Sequence, residues 1–130
     1  MGLNERRKIK ELQDTTFPER VKEIDEICGK AIQYDVDWDS LADDADGLNF
    51  IDNLSCHRLN MALRTICTDD MGKEAVRDGL KLIKLKNVKS TDDVSMTFES
   101  GVLEMHCAYA LGTSGMISDG DIKNLLAKKL

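Results

Sequence analysis

Val94-Ser95-Met96-Thr97-Phe98-Glu99-Ser100-Gly101-Val102-Leu103-Glu104-Met105-His106-Cys107-Ala108-Tyr109 is the stretch on which the fold turns. Apolar and polar residues alternate on either side of Ser100-Gly101. A period of two sends successive side chains to opposite faces of a strand, and a two-residue loop ending in glycine suits a tight hairpin. Pairing Glu99 with Val102 sets Phe98 opposite Leu103, Met96 opposite Met105 and Val94 opposite Cys107, all on one face. Thr97 with Glu104 and Ser95 with His106 fall on the other face. Turn chemistry and hydrophobic pattern thus select the same register.

Residues 80–88, apolar at first and basic later (Lys84, Lys86), read as a third strand, expected to join the hairpin in an antiparallel sheet. Downstream, Ser118 or Asp119 caps a last helix whose stripe is Ile122, Leu125, Leu126 and Leu130, with Lys128 and Lys129 favourable at its C-terminal dipole.

Upstream, residues 47–67 read as the longest helix. Leu48, Ile51, Leu59, Ala62, Leu63 and Ile66 share one face, with Cys56 and Cys67 at its margin. Phe50, Leu54 and Met61, with His57 beside them, form a second stripe, a candidate self-association surface. Residues 69–79 read as a shorter helix. Ile32, Tyr34, Val36 and Trp38 alternate with Gln33, Asp35 and Asp37, which predicts a strand over 31–38 with one acidic, wet side. The polar stretch 41–46 reads as a loop.

Thr16-Phe17-Pro18-Glu19 has capping-box spacing and starts a helix carrying Val21, Ile24, Ile27 and Cys28, with Gly29 as its left-handed exit. Residues 1–14, with only Ile9 and Leu12 as a thin apolar stripe, read as a short helix or mobile arm. Helices, then a hairpin-built sheet of three to four strands, then a closing helix packed on it define a single α+β domain over 1–130. The long helix and the C-terminal helix are expected on one sheet face.

Composition narrows the function classes. The chain has 130 residues, 42% hydrophobic and 32% charged, with one proline and nine glycines, which fits one globular domain and neither a disordered nor a membrane chain. No apolar run approaches the ~20 residues of a membrane span, and the charged N-terminal residues lack a leader pattern, so a cytoplasmic location and no membrane partner are expected. The net charge is −6, from 24 acidic and 18 basic residues. That argues against nucleic-acid binding, which needs a clustered basic face, and would steer a basic partner towards the chain. Cys28, Cys56, Cys67 and Cys107 are too dispersed for a disulfide framework and read as small buried hydrophobes.

Several short patterns touch on chemistry. Asp35-Val36-Asp37-Trp38-Asp39, followed by Asp43, Asp44 and Asp46, has the first positions of a calcium loop. Ser40 replaces the glycine at its turn, Asp46 the final glutamate, and a strand the entering helix. Cys56-His57 and His106-Cys107 supply four ligands of the right type for zinc, but adjacent residues point apart on a helix and to opposite faces of a strand. Cys28 and Cys67 fall at helix C-termini, where a thiolate is disfavoured, so cysteine catalysis is not expected. His57 has Asn53, an amide, one turn back, so the helix supplies no orienting carboxylate. Asp39-Ser40-Leu41 resembles, over three residues only, the segment around the modified serine of acyl carrier proteins; a polar turn after a strand accounts for it. Gly112-Thr113-Ser114-Gly115 lacks the lysine and spacing of a phosphate-binding loop.

No catalytic, cofactor or metal residues are therefore assigned. The sequence points to a non-enzymatic interaction, regulatory or inhibitor-type module, with Asp35, Asp37, Trp38, Asp39, Asp43 and Asp44 as the candidate surface for a basic protein partner, or Phe50, Leu54, His57 and Met61 for a second copy. Trp38 would be an aromatic anchor unless it fills the core beside Tyr34. The competing class is a small enzyme or ligand carrier with a pocket between the sheet and the long helix, lined by His57, Met105 and Cys107.

Overall fold

A computed structural model describes residues 2–130 of the chain. The first helical run is nearly unbroken: α1 (Leu3–Glu11), a π turn (Leu12–Thr16) and α2 (Phe17–Cys28). This corrects the reading of Thr16 as a cap. Its φ of −65° and ψ of −52° are helical and its side chain makes no cap bond. The wider turn lies just before Pro18, whose missing N–H and ring disfavour regular bonding to the residue four back. Leu12 is buried and α1 lies against α3, so this arm is docked on the body. Gly29 ends α2 with φ 80°, the left-handed exit expected of it.

After β1 (Gln33–Val36) the chain tightens into a 3-10 turn (Trp38–Leu41), ending the strand short of the expected residue 38. The long helix runs as α3 (Ala45–Ile51), a π turn (Asp52–Cys56) and α4 (His57–Ile66). That π turn shifts the helical phase. Leu54, expected on the outer stripe, is consequently turned into the core at 3% exposure, while Phe50, His57 and Met61 stay exposed. Ser55, within the π turn, donates its hydroxyl to the Ile51 carbonyl, the back-bonding that commonly bends a helix. α5 (Asp70–Gly79) follows, its first turn capped by Asp69, which accepts from the Gly72 N–H at 2.7 Å.

The sheet contains β1, β2 (Leu82–Asn87), β3 (Ser95–Glu99) and β4 (Val102–Cys107) in the order β1-β2-β4-β3. The β3–β4 hairpin has the expected register, with Phe98 opposite Leu103, Met96 opposite Met105 and Thr97 opposite Glu104. Its turn residues both have positive φ, 53° at Ser100 and 82° at Gly101. The rest of the sheet corrects the antiparallel expectation: β1 pairs parallel with β2, and β2 parallel with β4. Parallel strands require a long crossover, and the helices between β1 and β2 provide it. The loop after β2 carries the chain to the far edge, so β3 starts there and the tight turn returns β4 into the gap beside β2.

Ile83, Leu85, Leu103, Met105 and Cys107 project from one sheet face into a core closed by α4, which packs between α2 and α6 (Asp119–Lys129). Ser118 caps α6, and Ile122 and Leu126 anchor it. The opposite face carries Asp35, Lys84, Lys86, Glu104 and His106 at or near solvent. No helix among the described residues is long and apolar enough to cross a membrane.

Candidate functional site

The uncovered sheet face is a lattice of charge. Strand register lines up Asp35, Lys84 and Glu104 across β1, β2 and β4, and one step further along it sets Lys86 beside His106. Opposite charges on directly neighbouring strands attract, so the Asp35–Lys84–Glu104 row favours the strand pairing while leaving the face polar. Asp37, tied to β2 by its N–H donating to the Leu85 carbonyl at 2.9 Å, extends the second row. His106 Nε2 lies 2.8 Å from Glu104 Oε2 on the same strand. Together Asp35, Asp37, Lys84, Lys86, Glu104 and His106 line an open groove of about 310 Å³. His106 faces out and Cys107 in, as the hairpin register requires.

The acidic candidates divide on inspection. Asp35, Asp37, Asp39 and Asp43 are exposed, but Asp44 is 8% exposed and committed to the fold. It accepts from the Gly47 N–H at 2.8 Å, capping α3, and from Asn87 Nδ2 at 2.9 Å, with Lys89 Nζ at 3.4 Å. Burial alone would raise its pKa, but the Gly47 amide, Asn87 and Lys89 outweigh it and hold the carboxyl below the usual carboxylate range. Asp44 therefore belongs to the scaffold, not to a partner surface. Trp38 is half-buried, its ring edge-on to Phe17 at 5.5 Å, and Phe17 meets Tyr34 at the same centroid distance. That aromatic cluster is the core reading of Trp38, and it fixes the turn bearing Asp37 and Asp39.

Asn87, which the sequence does not single out, is the hub of this end. It is buried, its N–H donates to Ser40 Oγ at 3.0 Å, its amide nitrogen to the Ser40 carbonyl, and its amide oxygen accepts from the Tyr109 N–H. The Ser40 hydroxyl in turn donates to the Asp37 carbonyl. Asp39-Ser40-Leu41 is thus a structural turn, with Leu41 wholly buried.

A second polar network lies beneath β1. Tyr34 Oη donates to Asn60 Oδ1 at 2.8 Å, Asn60 Nδ2 donates to Glu23 Oε1 at 2.6 Å, and Arg20 forms a two-pronged bond to Asp52 in the π turn. The Asp52 bond raises the Arg20 pKa above its ordinary value, keeping the guanidinium charged. Burial works against Glu23, but the Asn60 and Arg20 bonds bring its carboxyl below the ordinary value. These bonds rivet α2 to the π turn and β1, and Arg64 Nη2 adds a contact to Glu23 Oε2 at 3.5 Å.

The expected pocket between sheet and long helix does not assemble from its three residues. Met105 and Cys107 are wholly buried and His57 is exposed. Burial drives the Cys56 thiol far up and the Cys107 thiol to about 11, so neither is a ready nucleophile near neutral pH. Among the described residues no group of three or more His, Cys, Asp and Glu is placed to hold a metal ion. Cys28 and Cys67, 39 residues apart, bring their sulfurs to 3.1 Å in the core, an encounter the sequence does not announce.

Comparison of the chain with protein-family models, characterised proteins and solved structures found no match.

Proposed function

We propose that the chain is a non-enzymatic protein-interaction module of the cytoplasm, and that its working surface is the open sheet face together with the acidic turn after β1. The carrying observation is the one-sided cover of the sheet: helices pack on the face bearing Leu85 and Met105, and the face bearing Asp35, Asp37, Lys84 and Glu104 is left to solvent. Exposed Asp39 and Asp43 continue the negative edge, and a net charge of −6 favours a basic protein as the partner. Alternating rows of charge would set the partner's register while the acidic edge speeds encounter.

Cross-linking capture from the native cell tests this, with the wild type compared with a variant carrying Asp35→Lys, Asp37→Lys and Asp39→Lys. The three side chains are exposed, but Asp37 also caps the turn after β1 by accepting from the Ser40 N–H at 3.3 Å, so circular dichroism first checks that the variant is folded. A partner taken by the wild type, lost with the variant and lost as salt is raised is the expected result. Equal capture by both chains, independent of salt, would contradict it. A second reading, self-association, is supported by exposed Phe50 and Met61 on α3 and α4, with His57 between them in sequence. A dimer in sedimentation would favour that reading.

A further inference from the structure

We infer that Cys28 and Cys67 are an oxidative modification site, a thiol pair that closes to an intramolecular disulfide when the protein meets a hydroperoxide. Their sulfurs lie 3.1 Å apart. Bonding at about 2.05 Å needs a further approach of roughly 1 Å. Both cysteines stand at helix ends. Cys28 is the last residue of α2, directly before Gly29 at φ 80°, and Cys67 has left the helical region after α4 with φ −88° and ψ 23°. Cys56, inside a π turn, and Cys107, at the end of a central strand, have no sulfur neighbour in bonding range among the described contacts.

Access orders the two steps. Cys67 is 5% exposed and Cys28 wholly buried, so the small oxidant reaches Cys67 first. The Cys67 thiolate attacks one peroxide oxygen, the O–O bond breaks and hydroxide leaves, giving a sulfenic acid at Cys67. Cys28, deprotonated as it attacks, bonds to the Cys67 sulfur, and a second hydroxide leaves. The two thiol protons convert both hydroxides to water, so the thiols lose two electrons and the peroxide gains them. Burial pushes the Cys28 thiol upward, its neighbour Cys67 adds to this and Lys73 opposes it, which makes Cys28 the resolving residue and closure slow. The bond would tie the C-terminal end of α2 to that of α4, a loop long enough to stabilise the fold on chain-entropy grounds.

The test uses the folded wild-type chain, treated with a small excess of hydrogen peroxide. Remaining thiols are then alkylated in denaturant, and the peptides are mapped without reductant. The expected product is a single Cys28–Cys67 cross-link, with Cys56 and Cys107 fully alkylated. A rise in melting temperature of about 5–10 °C, reversed by dithiothreitol, should accompany it. In a Cys28→Ser variant a dimedone adduct is expected at Cys67 and no cross-link. Four alkylated cysteines, sulfinic acid at Cys67 without a cross-link, or a bridge to Cys56 or Cys107 in the wild type would each overturn the assignment.

Discussion

At Asp44 a buried carboxylate holds three elements at one point: the first turn of α3 through Gly47, the end of β2 through Asn87, and the following loop through Lys89. Removing it uncaps a helix N-terminus and leaves one of the two Asn87 amide N–H groups without its acceptor, the other keeping the Ser40 carbonyl. Asp44→Ala should therefore cost about 1–3 kcal/mol in urea unfolding. The pH dependence follows from the depressed carboxyl. A group whose folded pKa lies below its unfolded value, near ~3.9 for Asp, stabilises fully above that value and loses the effect as pH falls through the folded one. The difference between wild type and Asp44→Ala should hold from neutrality to about pH 5 and shrink steadily below about pH 4; a difference unchanged at about pH 2 would contradict the assignment. Tyr109 makes the converse case. Its ring is wholly buried, and its hydroxyl, beside Ser55 and Cys107, is the one buried side-chain nitrogen or oxygen among the described residues without a well-formed hydrogen bond. Tyr109→Phe should raise stability by about 0.5–1 kcal/mol, since an unpaired hydroxyl costs more to bury than a C–H. A loss above about 1 kcal/mol would reveal a partner in solution.

Among the elements, the hairpin is the most local and was the most legible. Ser100-Gly101 and the alternation around it lie within a few residues of each other, so turn and pairing constrain one another directly. Gly101 has φ 82°, and a Cβ there would lie 2.9 Å from the Lys81 side chain and 3.1 Å from the Gly79 carbonyl. Gly101→Ala should thus cost about 1–2 kcal/mol, read as a lower midpoint in chemical unfolding with an unchanged slope. The parallel pairing of β1, β2 and β4 was less legible, because the hairpin suggests that its neighbour also pairs antiparallel. The telling signal was the strand–helix–strand order from β1 to β2, which demands a crossover. Pro18 marks the first π turn, and nothing in the sequence marks the second. Each is a one-residue change of phase settled by packing, and one of them converts Leu54 from an outward to an inward residue.

For the molecule as a whole, the interior and the open face divide the chemistry. The buried thiols sit among apolar side chains and the Arg20–Asp52 and Glu23–Asn60–Tyr34 bonds close on themselves, whereas Asp35, Asp37, Lys84 and His106 meet solvent. The outward aspartates of β1 could be read from alternation alone. Asp44 could not be separated from them, because its role depends on Asn87, 43 residues away. The Cys28–Cys67 encounter was hidden for the same reason, being a contact between two helix ends that no local spacing encodes. Hydrogen exchange with the captured partner bound tests the open face as the working surface most directly. Protection is predicted in β1 and the turn at 37–43, with less change along α3 and α4. Protection centred on α3 and α4 around Phe50 and Met61, with β1 unchanged, would contradict it.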